Sequence, residues 1–154
     1  MEDKDLKYYC DDTLKNEDVA QWNYLLDYAF AKADAVEFNI LYTNSELPEE
    51  IKALLSDLIE RGEEGKKIYP SGEYLRFKLT KKVKDFIKSK QNREWYNYFL
   101  EDISFLKENK EFLATVTHEN QIVLQATRLQ IEEWNKHGFN FSSDWGIDPV
   151  QHNN

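Results

Sequence analysis

A single cysteine, Cys10, is all the thiol this sequence holds. It excludes an intramolecular disulfide and, with only three histidines, a cysteine-based zinc site. So thiol-poor a chain is expected in a reducing cytoplasm. The five glycines form neither GxGxxG nor GxxxxGK[ST], so no phosphate cradle is written into the chain. Ser71-Gly72 and Ser142-Ser143 lack the flanking glycines of a nucleophile elbow, which leaves acyl transfer without a signal. His-x-x-x-His, His-Glu-x-x-His and Asp-rich calcium loops are missing too, and neither a metal nor a cofactor is expected. There is no run of about eighteen apolar residues to span a membrane. The opening MEDKDLKYYCDD is acidic without an apolar core, which argues against a secretion signal.

What is present is a core. Hydrophobic residues make up 41% of 154 positions, and aromatic residues alone 14%. That supports one domain spanning residues 1–154, with a core leaning on Phe, Tyr and Trp. Residues 1–15 read as a flexible acidic arm anchored only by Tyr8 and Tyr9, and 148–154 as a frayed tail. Net charge is −9, but unevenly spread. Residues 1–65 hold 17 acids and 6 bases; residues 66–93 hold 2 acids and 10 bases. The acidic majority disfavours nonspecific nucleic-acid binding, and the middle block is the one place for a basic footprint.

Periodicity supplies the elements. Asn16 can cap a helix from Glu17, whose Val19, Trp22, Leu26, Ala29 and Ala33 share a face. From Ala35 to Thr43 the period changes to two, with Val36, Phe38, Ile40 and Tyr42 on one side. Pro48 suits a first helical turn, and Ile51, Leu54, Leu55, Leu58 and Ile59 continue an amphipathic stripe that Gly62 ends. Tyr74 to Thr80 alternates again, and Thr80 can cap a short helix through Lys88. Gln91 to Leu100 is aromatic without a period, open to helix or irregular packing.

The stretch Glu101–Phe139 organises the rest. Three strand-like runs are separated by Lys107-Glu108-Asn109-Lys110 and by His118-Glu119-Asn120. Two short polar breaks predict a three-strand antiparallel meander, though neither offers the Asn-Gly of the tightest turns. Thr127-Arg-Leu-Gln130 fits a capping box, and Gly138 with Phe139 fits a helix stop. The fold expected is α+β: a mainly antiparallel sheet of about five strands with helices covering one face.

Candidate chemistry is thin. His118 and Glu119 sit at a hairpin tip, where they could form a proton-transfer pair or a plain polar turn. Adjacent carboxylates Glu101-Asp102 and Glu132-Glu133 can do acid and base work when burial splits their pKa values, but such pairs are usually solvated surface residues. Arg76, Lys78, Lys81, Lys82, Lys84, Lys88, Lys90 and Arg93 cluster just before Trp95, Tyr96 and Tyr98. Bases followed by aromatics could hold single-stranded nucleic acid, or could be solvated faces paired with acids elsewhere. Trp95, Tyr96, Tyr98 and Arg76 are residue types that anchor protein interfaces, and with Lys78 they are the candidate binding residues.

A small acidic α+β chain, rich in aromatics and lacking a catalytic motif, is expected to bind another protein rather than transform a substrate. Acidic surfaces speed association with basic partners. In general character, though not by any shared motif, it is similar to bacterial immunity proteins, which neutralise toxic enzymes. A small enzyme centred on His118 and Glu119, and a nucleic-acid binder using residues 76–93, are the alternatives. Oligomeric state leaves no mark in the sequence.

Overall fold

The computed structural model describes residues 6–11, 19–42, 46–63, 72–95 and 98–141. It is α+β, built on one antiparallel sheet and four helices. In chain order the elements are β1 (Lys7–Asp11), α1 (Val19–Lys32), β2 (Ala35–Ile40), α2 (Glu49–Lys52), β3 (Leu58–Gly62) and β4 (Tyr74–Lys78). Then follow α3 (Lys81–Lys88), β5 (Leu100–Lys107), β6 (Lys110–Val116), β7 (Gln121–Ala126) and α4 (Arg128–Lys136). The sheet has seven strands rather than about five, in the order β1-β7-β6-β5-β2-β4-β3.

Both extra strands lie at the edges, where local sequence is least informative. Lys7–Asp11, within the acidic arm, forms β1, pairing Tyr9 with Leu124. It lacks strand-like alternation on its own and takes its place because β7 offers an unpaired edge. The helix expected from Pro48 through Ile59 stops after Lys52. A 3-10 turn at Leu55–Asp57 follows, and Leu58–Gly62 becomes β3. The apolar stripe is consistent with a helix, but pairing Gly62 with Tyr74 and Arg61 with Leu75 gives this segment a sheet's hydrogen bonds instead. Gly62 therefore ends no helix. A Cβ there would meet the Tyr74 ring at 2.6 Å.

The C-terminal meander runs β5-β6-β7. Its first turn has two residues, Glu108 and Asn109, at φ 51° and 67°. That positive-φ pair matches strand twist and does without Asn-Gly. The second break is a 3-10 turn, Thr117–Glu119, closed by Asn120 at φ 53°. The caps are as the sequence indicates. Thr80 Oγ1 accepts from Val83 N, and Thr127 with Gln130 completes a reciprocal capping box. Gly138 takes φ 94°, and its carbonyl accepts from Gln21 Nε2 at 2.6 Å. The segment before β5 holds a 3-10 turn at Asn92–Trp95. The expected Asn16 cap and the frayed tail at 148–154 lie outside the described residues.

Helices cover one face. Trp22, Leu25, Leu26 and Ala29 of α1, Ile51 of α2, Val83 and Ile87 of α3, and Ile131 and Trp134 of α4 share one core. On the sheet side that core takes Val36 and Phe38, Leu75 and Phe77, Phe105, Leu113 and Leu124. Register explains the set: Val36 lies opposite both Phe77 and Phe105, and Leu113 opposite Leu124. Burial of these side chains, at roughly 1.5–3 kcal/mol for each Val, Leu, Ile or Phe, is the main driving term for this layer. The opposite face carries a smaller cluster, Ala114 with Val123, against which Tyr8 packs. It also carries a run of polar side chains.

Candidate functional site

β2 is buried along its whole length, so its helix-free side is as dry as its core side. That side holds Glu37 and Asn39. Pairing sets Arg76 and Tyr74 of β4 on one flank and Ser104 and Glu101 of β5 on the other. Glu37 is 1% exposed and Arg76 6%. Arg76 donates from Nε at 3.0 Å and from Nη2 at 2.8 Å, both to Glu37 Oε1. Glu37 Oε2 is left without a hydrogen-bond partner, as are Ser104 Oγ and Asn39 Oδ1 nearby. Arg76 Nη1 also lies 3.7 Å from Glu60 Oε1, on exposed β3. Tyr74 lies beneath the guanidinium, its ring centroid 5.8 Å away, and burial and then Glu60 raise its phenol's pKa. A buried ion pair earns little stability by itself but is costly to break from one side.

The band continues to the hairpin tip. Between Glu37 and Asn39 the β2–β5 register shifts, and Asp102 takes φ 53° in β5. From this left-handed backbone Asp102 makes three hydrogen bonds, one by its amide and two by its carboxylate. Its amide donates to Thr117 Oγ1 at 2.9 Å, and Oδ1 accepts from Thr117 N at 2.8 Å. Oδ2 accepts from Asn39 Nδ2 at 3.1 Å. Beside it, His118 Nε2 stands 2.9 Å from Glu101 Oε1. Glu101 is mostly buried and His118 half exposed. Glu119, the sequence neighbour singled out with His118, is exposed and outside this contact.

The basic block is dispersed. Arg76 is taken up by the sheet, while Lys78 is exposed. Lys81 pairs with Asp85 at 2.8 Å, and Lys82 donates to Ala53 O and Ser56 Oγ. Lys84 and Lys88 lie over the Phe30 ring, and Lys90 over Tyr98 at 3.9 Å. The Arg93 side chain and Tyr96 fall outside the described residues. Trp95 is buried, stacked on Phe38 at 5.7 Å and edge-on to Phe86. Tyr98 is half-buried and donates to Glu50 Oε2 at 2.6 Å. That bond lowers the Glu50 carboxyl pKa, while burial and then Glu50 raise the Tyr98 phenol's.

What sequence reading missed is the pairing. Glu37 and Ser104 looked like the wet half of two alternating strands. Glu101 was visible beside Asp102 but not opposite His118, because that contact depends on a bulge. Among the described residues, no group of three or more His, Cys, Asp or Glu is arranged to hold a metal. No described helix is long and apolar enough to cross a membrane. Compared with protein-family models, curated proteins and solved structures, the chain matches none.

Proposed function

We propose that this chain is a non-enzymatic binding module acting in a bacterial cytoplasm, an immunity-protein-like inhibitor or adaptor that docks on a basic protein. One observation carries the reading: Leu55, in the 3-10 turn before β3, is 40% exposed and Ile59, on edge strand β3, is 55% exposed. Two exposed aliphatic side chains close together in the chain offer apolar area for a contact. The register of β3 against β4 shifts between Leu58 and Glu60, around Ile59. Glu60 stands beside it, 45% exposed, and the net charge of −9 favours a cationic partner.

The test is capture from source-cell lysate at low and moderate salt, using wild type and the I59E/L55E variant. A protein retained by wild type and lost with the folded variant supports the reading. Equal retention by both, or no specific retention at either salt, refutes it.

The His118–Glu101 contact favours a second reading, an acid–base site at the hairpin tip. It requires a reaction on a screened substrate set that E101Q abolishes without unfolding the chain. Activity unchanged by E101Q would remove it.

A further inference from the structure

Outside the polar band, the molecule has a cleft of about 370 Å³ between α1 and the end of α3. That volume falls within the range of small-molecule sites. Trp22 and Leu26 of α1, both nearly fully buried, lie at its base, and Asn23 and Asp27 continue along the same helix. Lys88, Lys90 and Gln91 form the opposing wall. The two walls are tied where Trp22 Nε1 donates to Lys90 O at 3.3 Å.

The lysines set the chemistry. Elsewhere, Lys52 and Lys81 each find a carboxylate within 3 Å. Among the described residues, no carboxylate lies at ion-pair distance from Lys88 or Lys90. Their ammonium groups rest on rings instead, Lys88 over Phe30 at 5.7 Å and Lys90 over Tyr98 at 3.9 Å. A ring face steadies a cation without neutralising it. Asp27 is the one carboxylate lining the cleft, so two cations outnumber it in an otherwise acidic chain. Lys90 also helps lower the pKa of Glu50, which lies outside the cleft beyond Tyr98, but cationic charge beside a concave, partly apolar surface still concentrates the opposite ion there.

We propose that this cleft binds a small oxyanion, the carboxylate or phosphate monoester of an organic molecule, through Lys88 and Lys90. Asn23 and Gln91 supply amide groups for its polar body, and Asp27 limits how much negative charge the cleft accepts. The proposal is independent of the docking edge at β3.

Trp22 provides the readout, because its indole N–H is hydrogen-bonded across the cleft. Its NMR cross-peak, assigned by its loss in W22F, is followed while sodium phosphate or sodium glutarate is titrated at constant ionic strength. A saturable shift with phosphate alone identifies a phosphate ester, with glutarate alone a carboxylate, and with both a general oxyanion site. K88M/K90M should weaken that binding roughly tenfold, as expected for two partly solvated contacts. K81M/K82M, which removes the same charge from the other end of α3, should leave it within about twofold. D27N should tighten it. No saturable shift with either salt overturns the proposal. So does a shift that K88M/K90M leaves unchanged, or one that K81M/K82M weakens equally.

Discussion

Replacing Arg76 with Met removes a charge while keeping most of the side chain's volume. Glu37, 1% exposed, would then hold its carboxylate in the sheet with no cation bonded to it. Removing one partner of a buried pair costs roughly 3–5 kcal/mol, a large part of the 5–15 kcal/mol that stabilises an ordinary domain. Glu60, the other carboxylate near Arg76 at 3.7 Å, is itself an anion and supplies no replacement cation. As a control, E60Q should cost under about 1 kcal/mol. The double variant E37L/R76M removes both charges and should recover most of the loss, ending within about 1–2 kcal/mol of wild type. With E37L as the second single variant, wild type, R76M and E37L/R76M complete a double-mutant cycle, read by urea denaturation through tryptophan fluorescence at fixed pH and salt. A coupling energy near zero, or an R76M cost below about 1 kcal/mol, would show that the pair is solvated and the reasoning wrong.

Two further outcomes are expected. Burial, then the Glu111 carboxylate, pushes the Tyr8 phenol from 10.0 up to about 12. The folded chain keeps that proton where the unfolded chain releases it, so Tyr8's contribution is whole below pH 10.0 and lost as pH rises to about 12. Urea midpoints across that window should fall less steeply in Y8F, and identical slopes would refute the assignment. Gly62→Ala would press a methyl group into the Tyr74 ring, 2.6 Å away and 3% exposed. It should cost about 1–3 kcal/mol in the same denaturation assay. A neutral result would mean the ring has room to withdraw.

The elements legible in the sequence are those whose signals are local. Thr80 and Thr127 each announce a helix through a hydroxyl and the amide three residues on, and both caps form. Val36, Phe38 and Ile40 alternate because one face of β2 meets the helices. The illegible parts depend on partners distant in the chain. Leu58 and Ile59 fit a helical stripe, yet β4 takes that segment as a strand. Glu37 looks solvated by its period, but β2 is flanked on both sides by other strands and its second face is buried. The same limit applies to the site: His118 was visible, whereas Glu101 reaches it only through the left-handed turn at Asp102.

The strand order bears on how the molecule is made. Lys7 finds its place opposite Ala126, and β2 must wait for β5 before both its sides are paired. A chain emerging from the ribosome therefore carries its first strand without its native neighbour until nearly all of the sheet has been synthesised. Contacts between such distant segments slow folding and lengthen the exposure of unpaired edges. Chains stopped short of β7 would leave Tyr9 and Cys10 uncovered, and these stalled products should be the ones that aggregate or are degraded.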